Sequence, residues 1–440
     1  LIGQQTSSMG IFIGPVIYYL QIPFYLIANM DPAGPLALAV ILGVFTIFSF
    51  YYVFSKVFNK RVGLLSALIY SLSVVIVFTD RDMNPTMPVM LWTVWYFYSL
   101  WKILKGNQKF YILIGFLFGL IWDLNLALAI LSPFVVLVQI FSKKRLEFKK
   151  VLLGVLIFGI LMTPFALFEG RHGFQQTRSI ISSFTTQKDY ISGTGRGFAK
   201  LDRVLQLVHT NVTKIYWNNT VYIGSGTTFY LLVILFMFLI YKKILIKELG
   251  LIIFLWQVLY ILFFTFNSIN VSEYYLNGMN VVWIGILSLG INYFIEEKRF
   301  KYLGFGIITL FILSNLWSFF TRSVNQSGYV ERKSLVAYID QDAKAHNYPC
   351  VSVSYITAVG SELGYRYLFW LRNMRVEQPK SGAPVYTIVY PLKMVSKVDK
   401  TIGVLGLILP DYGRYTKKQV EISCSGGNSN LTDPMFGYTQ

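Results

Sequence analysis

The stretch VLLGVLIFGILMTPFALFE, residues 151–169, decides the fold of this chain, because it carries no charge before its final glutamate. A bilayer core is about 30 Å thick, so a helix that spans it needs about 20 mainly apolar residues. Comparable stretches recur at about 35–55, 62–79, 86–103, 109–122, 125–141, 228–241, 249–267, 275–295 and 302–321. Together they predict an α-helical polytopic membrane protein with about ten spans.

The composition agrees with a lipid environment. Of the 440 residues, 55% are hydrophobic and only 14% are charged, whereas about a quarter of the residues of a soluble protein are charged. The net charge of +18 does not indicate a nucleic-acid partner, because most lysines and arginines lie at the ends of the predicted spans, where the positive-inside rule places them. We therefore expect a membrane protein with no nucleic-acid partner.

The connectors between the predicted spans alternate between basic and nearly uncharged. The residues of the basic connectors are Lys56, Lys60, Arg61, Lys102, Lys105, Lys109, Lys143, Lys144, Arg145, Lys149, Lys150, Lys242, Lys243, Lys247, Lys298, Arg299 and Lys301. The short connectors of the other kind share a single basic residue, Arg81. Because basic connectors stay in the cytoplasm, we expect a multi-pass protein of the plasma membrane whose active face is extracytoplasmic.

Three regions follow from this orientation. Residues 1–34 are expected to form an outer-face loop and surface helices, because the apolar run 12–28 is short and contains two prolines; a poor spanning helix is the alternative. Residues 35–321 form the transmembrane bundle, interrupted by a long polar outer loop at 170–227 that has room for one short helix. Residues 322–440 form a small soluble α/β domain on the outer face.

The last region alternates between helical and strand patterns. A helical period covers 329–347, and an amphipathic run covers 362–373. Three short apolar runs are typical of strands: 350–357, 385–392 and 402–409. Both cysteines of the chain, Cys350 and Cys424, lie here. A single disulfide is expected if this domain is outside the cytoplasm, and two unpaired thiols are the alternative.

Ionisable residues are nearly absent from the predicted spans. Asp123 is the one candidate at bilayer depth, and it lies at a turn. Ion-coupled carriers usually keep acids, histidines or arginines at that depth, so the pattern argues against such a carrier. The sequence also lacks the motifs G-x-x-x-x-G-K-[ST], G-x-S-x-G and H-E-x-x-H. The polar residues that could carry chemistry lie in the outer connectors instead.

The first polar cluster is TDRDMNPT, residues 79–86. Asn84 is expected to cap a helix that begins at Pro85, which explains both residues without a function. Arg81 is not explained in this way, because a cation at a helix N-terminus opposes the helix dipole. A guanidinium beside exposed helix N–H groups can bind phosphate, so the functional alternative assigns Arg81, Asp82 and Asn84 to substrate binding.

Two further clusters lie at the outer ends of predicted spans. Glu169, Arg171 and His172 are interpreted either as an interfacial anchor or as contacts to an anionic headgroup or a sugar. Glu273 and Tyr274 open another span. Glu273 could cap the helix that follows, or it could bind hydroxyls or a metal on the substrate side. Three polar clusters on one face of a bundle suggest an enzyme that takes a lipid-borne substrate from the outer leaflet.

Three segments of the chain carry a family resemblance. They are GPVIYYLQIPFYL at 14–26, RDMNPT at 81–86 and FEGRHGF at 168–174. Together with the topology, they resemble the membrane glycosyltransferases of the dolichyl-phosphate-mannose protein mannosyltransferase type (glycosyltransferase family 39), which have the C-type glycosyltransferase (GT-C) fold. The resemblance covers about residues 1–320, and it implies a GT-C-like bundle.

The resemblance implies an integral-membrane glycosyltransferase. Such an enzyme moves a sugar, here mannose-like, from a polyprenyl-phosphate carrier to a glycan, lipid or protein acceptor on the outer face, with inversion of the anomeric centre. Its catalytic base is an acid in the first outer loop. The chain begins with Leu1 and no signal-like segment, so we interpret it as a fragment whose missing start holds one more span and this base. No catalytic residue is therefore named.

The resemblance leaves a metal cofactor open. Many relatives have an aspartate where Asn84 stands, which can help to hold a divalent metal such as Mg²⁺ or Mn²⁺. Asn84 keeps the oxygen but not the charge, and Asp82 could substitute with a different spacing.

Two other classes of protein are alternatives to the enzyme. A lipid-linked-sugar flippase or transporter would use the same bundle without chemistry, and a structural or receptor-like membrane protein would need no site. An Asp-Glu or Asp-Asp pair just after one upstream span would favour transfer, and its absence would favour transport.

Overall fold

The structure is a computed structural model that describes residues 3, 11–142, 144–185, 197–217, 226–269, 271–358 and 360–425. The chain divides into two compact units, Leu1–Thr321 and Arg322–Gln440. The first unit is helical, and the second combines helices with a five-stranded sheet.

The first unit consists of helices because lipid offers the backbone no hydrogen-bond partners, so each segment must satisfy its own N–H and C=O groups. In chain order they are α1 (Val16–Ile27), α2 (Leu36–Val57), α3 (Lys60–Leu72), α4 (Val74–Asp80), α5 (Val89–Leu104), α6 (Phe110–Gly119), α7 (Ile121–Leu124), α8 (Pro133–Phe141), α9 (Phe148–Arg171), α10 (Gln175–Thr185), α11 (Phe198–Tyr216), α12 (Thr227–Tyr241), α13 (Lys247–Phe266), α14 (Asn277–Glu296) and α15 (Lys301–Thr321). Short 3-10 segments, Leu126–Leu131 and Glu273–Leu276, precede α8 and α14.

Within the described residues, five segments are long and apolar enough to cross a membrane: α2, α9, α13, Glu273–Glu296 and α15. Helices α3 and α4 meet at a bend of 66° and would form a sixth span if the bend lies within it. The α-helical polytopic class is thereby confirmed, and the chain is a membrane-embedded, multi-pass protein. The predicted count of about ten spans is not reached.

The missing spans correspond to shorter apolar helices. The run predicted at 86–103 yields α5, which begins only at Val89 because Pro88 stands before it. The runs at 109–122 and 125–141 meet at Asn125, whose side chain accepts a hydrogen bond from the N–H of Ala127 and ends the continuous helix. An apolar run therefore predicts a segment that faces lipid or is buried, but it does not predict an unbroken helix.

The predicted outer loop at 170–227 contains two helices, α10 and α11. Helix α11 is longer than the short helix that the sequence suggested, because its apolar period continues to Tyr216. The remaining parts of this loop, 186–196 and 218–225, lie outside the described residues.

The bend between α3 and α4 is held by polar contacts from two other helices. The Ser73 hydroxyl donates to the carbonyl of Ile215 at 2.7 Å. The N–H of Val74, at the break, donates to Oδ1 of Asn315 at 3.0 Å. The Asn315 amide also donates to the carbonyl of Tyr216 at 3.0 Å. Asn315 is 2% exposed on α15, so one buried amide holds both the start of α4 and the end of α11.

The N-terminal apolar run 12–28 forms the single short helix α1. The carboxylate of Asp123 accepts the N–H of Val16 at 3.2 Å, and the N–H of Gly14 donates to the carbonyl of Trp122 at 2.9 Å. A Cβ atom at position 14 would lie 2.1 Å from Oδ1 of Asp123, so only glycine fits there. Asp123 therefore serves to anchor the start of α1.

The second unit confirms the small α/β domain. Its elements are α16 (Tyr329–Ala345), β1 (Val351–Thr357), α17 (Tyr365–Leu371), β2 (Val376–Glu377), β3 (Val385–Tyr390), β4 (Lys400–Ile402), β5 (Leu405–Ile408) and α18 (Lys417–Ser423). The strand order is β2-β1-β3-β5-β4, with β1 parallel to β2 and β3, and with β5 antiparallel to β3 and β4. The strand predicted at 402–409 is instead a hairpin, because Gly403 (φ +60°) turns the chain between β4 and β5.

Two features stabilise this unit beyond its apolar core. The phenols of Tyr386 and Tyr412 donate to the Asp342 carboxylate at 2.6 and 2.9 Å. Burial, together with this carboxylate, raises the pKa of Tyr386 and of Tyr412, so both phenols stay protonated and remain donors. Cys350 and Cys424 form a disulfide. Of the two alternatives that the sequence left open, the structure therefore contains the disulfide and not two unpaired thiols.

The disulfide yields a first prediction. Replacing both cysteines with serine should lower the free energy of unfolding of this unit by about 2–4 kcal/mol, because the bond restricts an unfolded loop. The bridged positions are 74 residues apart in the sequence. Alkylation of the full chain followed by mass spectrometry checks the bond directly. Neither cysteine should react before reduction, and labelling of both without reductant would contradict the pairing.

Asn315 yields a second prediction. Asn315→Leu keeps the number and branching of the side-chain heavy atoms but leaves the Val74 N–H and the Tyr216 carbonyl without this partner. An unsatisfied buried group costs about 1–3 kcal/mol, so the purified variant should melt well below the wild type. The control is Ser314→Ala, which removes a hydroxyl that bonds Phe311 of its own helix. Equal melting temperatures for Asn315→Leu and the wild type would refute the proposed role.

Candidate functional site

Two adjoining cavities of the first unit bring together four of the eight residues predicted to bind substrate. The first, the polar cavity, has a volume of about 200 Å³. It is lined by Val75, Ile76, Thr79, Asp80, Asp82, Asn84, Thr86, Met87, Met90, Asn211, Lys214, Ile215, Glu273, Tyr274, Asn277 and Asn280. These residues come from α4, the turn before α5, α11 and the start of α14. The cavity therefore lies where the bend at Ser73 directs α4.

The first polar cluster forms one wall of this cavity. Asp80, the last residue of α4, accepts a short hydrogen bond from the phenol of Tyr70. Oδ1 of Asn84 accepts the N–H of Thr86 at 3.0 Å and its hydroxyl at 2.7 Å. Asn84 thus closes a turn, and the prediction that it caps a helix beginning at Pro85 is wrong. The helix begins later because a residue before Pro88 is disfavoured in the helical conformation.

A salt bridge forms the opposite wall. Nζ of Lys214, on α11, lies 2.9 Å from Oε1 of Glu273, and the side chain of Asn211 donates to the Glu273 carbonyl at 3.4 Å. The 3-10 segment that starts at Glu273 has no side-chain cap, so the carboxylate is used for the ion pair rather than for capping. Among the described residues, Lys214 is the one cation that lines the cavity, beside three carboxylates, those of Asp80, Asp82 and Glu273.

Amide side chains form the inner end of the cavity. Asn277 and Asn280 lie three residues apart at the start of α14, so they share one helix face. The amide of Asn280 donates to Oδ1 of Asn277 at a long 3.5 Å. Asn280 is 3% exposed, and its carbonyl oxygen has no hydrogen-bond partner among the described residues. A buried amide with an unused acceptor is costly in the protein alone and is suited to a polar ligand.

The second cavity, the apolar cavity, has a volume of about 450 Å³. Asn84, Thr86 and Tyr274 line both cavities, so the two share a wall. The remaining lining residues are Ile11, Ile13, Pro85, Leu124, Asn125, Leu126, Ala127, Ala129, Ile130, Ile180, Phe263, Phe264, Ile269 and Tyr275. An apolar space beside a polar one matches a ligand that has a hydrocarbon tail and a hydrophilic head.

The second polar cluster supports this arrangement from outside the cavities. Glu169 is buried and accepts the N–H groups of Gln176 at 3.0 Å and Thr177 at 2.8 Å, so it caps α10, which contributes Ile180 to the apolar cavity. Arg171 and His172 are exposed. The His172 ring stacks on Phe168 with centroids 4.1 Å apart. Over the described residues, neither of these two nor Glu169 lines the cavities.

Arg81 lies beside the polar cavity but is not part of its lining. It is exposed, and its guanidinium lies 5.3 Å from the centre of the Phe78 ring. Its neighbours in sequence on either side, Asp80 and Asp82, both line the cavity. The structure therefore brings together Asp82, Asn84, Glu273 and Tyr274, with Arg81 at the edge.

Five charged or amide residues of the lining were given no role from the sequence, namely Asp80, Asn211, Lys214, Asn277 and Asn280. A usable signal was present. Asn277 and Asn280 are a polar pair three residues apart at the start of a mainly apolar helix, and such pairs share a face.

Lys200 is a buried cation that the sequence analysis also missed. Its ammonium donates to the carbonyls of Asn267, at 2.8 Å, and Ile269. These carbonyls follow the end of α13, where helix C=O groups lack internal partners and favour a positive charge. Lys200 therefore fixes the connector that leads to Glu273 and Tyr274.

The residues of the polar cavity do not fit a metal ion. Within the described ranges, no group of three or more His, Cys, Asp and Glu side chains could hold one. Asp80 is engaged by Tyr70, and Glu273 is engaged by Lys214. Asp82 is then the remaining carboxylate among the described lining residues, so these residues alone do not complete the coordination of Mg²⁺ or Mn²⁺.

Comparisons with known proteins bear on the first part of this site. Residues 13–168 match the family model described as dolichyl-phosphate-mannose-protein mannosyltransferase. No curated protein matches the chain significantly. The crystal structure of the Archaeoglobus fulgidus oligosaccharyltransferase in complex with Zn and sulfate is similar, with 11% sequence identity and a TM-score of 0.45 over 88% of this chain. The chain spans 60% of that protein's length. The family match confirms that residues 13–168 resemble the dolichyl-phosphate-mannose-protein mannosyltransferases.

Proposed function

We propose that this protein is a glycosyltransferase that moves a sugar from a polyprenyl-phosphate carrier to an acceptor. The observation that carries the proposal is the shared wall between the polar and apolar cavities, because a lipid-linked sugar has one part for each. The family match over residues 13–168 supports the same class of donor. We propose a mannose-like hexose, a glycan, lipid or protein acceptor, and an extracytoplasmic active face of the plasma membrane.

The apolar cavity would hold the first isoprene units of the carrier. Its walls are mainly aliphatic and aromatic, and Tyr274 stands at the boundary with its ring packed on that of Tyr275, 4.4 Å between centroids. The carrier phosphate would then lie at this boundary.

The polar cavity would hold the sugar and the phosphate. Hydroxyl groups of a sugar can donate to Asp82 and can both donate to and accept from the amides of Asn211, Asn277 and Asn280. Lys214 would neutralise the phosphate, positioned by its ion pair with Glu273. Arg81, which lies at the edge, is proposed as a second phosphate contact.

The proposed chemistry is a single displacement. The acceptor hydroxyl attacks the anomeric carbon, the bond from that carbon to the phosphate oxygen breaks, and the polyprenyl phosphate leaves with the bonding electrons. The hydroxyl proton passes to a carboxylate that acts as the catalytic base, a role for which we name no residue. Lys214 would stabilise the charge that develops on the leaving phosphate, and the amides would hold the sugar in place.

The assay for this function uses membranes that contain the full-length protein, incubated with radiolabelled polyprenyl-phosphate sugars. Transfer of label to an acceptor, or release of free sugar, is expected. The alternative, a lipid-linked-sugar flippase, predicts no transfer and no release. It predicts instead that the labelled lipid crosses the bilayer of reconstituted vesicles.

Lys214→Gln tests the phosphate contact. A hydrogen bond to a charged group contributes about 1.5–3 kcal/mol, so kcat/KM should fall by about 10-fold to 100-fold. Arg203→Gln is the matched control, because Arg203 is an exposed cation on the same helix and does not line the polar cavity. Equal losses of kcat/KM in both variants would show that activity depends on the positive charge of α11 in general and not on a contact between Lys214 and the phosphate.

Asn280→Leu tests the sugar contact. The change removes the amide but keeps the number and branching of the side-chain heavy atoms, so transfer should fall by about tenfold or more because sugar hydroxyls lose a partner. Binding of the polyprenyl phosphate without its sugar should be unchanged, which separates a sugar contact from a folding defect. Transfer at the wild-type rate would exclude Asn280 from the sugar site.

A further inference from the structure

A third cavity lies at the other end of α14, away from the proposed sugar site. Its volume is about 610 Å³, and it is formed where the end of α14 meets the starts of α3 and α15. Asn280 and Asn292 are both on α14, and a rise of 1.5 Å per residue separates their backbones by about 18 Å. The third cavity is therefore distinct from the polar cavity.

The cavity is layered from charged to apolar along all three helices. The outer layer holds three cations, Arg61, Lys298 and Lys301, and one carboxylate, Glu296. The Arg61 guanidinium and the Glu296 carboxylate lie 3.5 Å apart, so two lysine ammonium groups give the rim its net positive charge. Helices α3 and α15 both begin at this layer, and their exposed N–H groups add a positive potential.

One helical turn deeper, the lining becomes apolar. Leu64 on α3 and Phe305 on α15 line the cavity and are 60% and 45% exposed, which is favourable only if hydrocarbon covers them. Asn292 lies in the same layer. It is 4% exposed, and its carbonyl oxygen has no hydrogen-bond partner among the described residues.

We infer that this cavity binds an anionic phospholipid. The phosphate would lie among Lys298, Lys301 and Arg61, the acyl chains would cover Leu64 and Phe305, and Asn292 would meet the polar groups that join headgroup to chains. A soluble anion would satisfy the rim but not the apolar layer, and a neutral lipid would satisfy the apolar layer but not the rim. Basic cavities between transmembrane helices are suited to anionic headgroups for this reason.

The test uses the purified full chain in phosphatidylcholine nanodiscs, with and without a minor fraction of phosphatidylglycerol. Native mass spectrometry should find phosphatidylglycerol enriched among the retained lipids. Replacing Lys298 and Lys301 with glutamine should lower this enrichment by about tenfold or more. The control replaces Lys102 and Lys105, two basic residues of another connector, and should keep the enrichment.

Three outcomes would overturn the inference. They are no enrichment in the wild type, an equal loss in the control, and loss of the enrichment when inorganic phosphate is added in excess, since the last would assign the site to a free anion. Asn292→Leu changes no charge and should still weaken retention. Unchanged retention in that variant would remove Asn292 from the site. Because no sugar transfer is measured, failure here leaves the proposed glycosyltransferase activity untouched.

Discussion

The geometry of the candidate site depends on one buried amide, that of Asn315. In lipid, a break in a helix leaves backbone groups that water cannot satisfy, so a bend survives only where another part of the protein supplies the partners. Asn315 supplies an acceptor to the Val74 N–H and a donor to the Tyr216 carbonyl. The same side chain therefore places α4, which carries Asp80, and α11, which carries Lys214. The polar cavity exists because the start of α4 and the end of α11 meet at this side chain.

Around this point the protein separates two kinds of surface that a lipid-linked sugar needs. Carboxylates, amides and one ammonium group line one cavity, and aliphatic and aromatic groups line the other. The residues that divide them, Asn84, Thr86 and Tyr274, are fixed by a closed turn and by ring packing. Glu169 and Lys200 act one step further out, because each holds a helix end or connector that supplies lining residues. Glu169, which looked functional in the sequence, thus acts on the site through the backbone of α10.

The sequence predicted the class of protein but not every position at which a helix is interrupted. Apolar runs identify segments that avoid water, which is why α2, α9, α13 and α15 match predicted spans. The same runs do not reveal that Ser73 interrupts a helix, because the partner that permits this break is distant in sequence, as Asn315 is from Val74. The site shows the same limit. Asp82, Asn84, Glu273 and Tyr274 were found as local clusters, whereas Lys214 becomes a candidate only once α11 packs against the connector that carries Glu273.

The two ends of α14 pose one physical question. Helix α14 lies in the most deeply buried of the candidate spans. It nevertheless contains Asn280 and Asn292, whose side-chain carbonyl oxygens have no hydrogen-bond partner among the described residues. Leucine at either position would remove a buried, unpartnered carbonyl oxygen, so stability alone does not explain the amides. Each of the two lines a cavity that also carries charge. Polar ligands at both ends of α14, a sugar at one and a lipid headgroup at the other, would supply the missing partners, and this common cause links the two proposals without making either depend on the other.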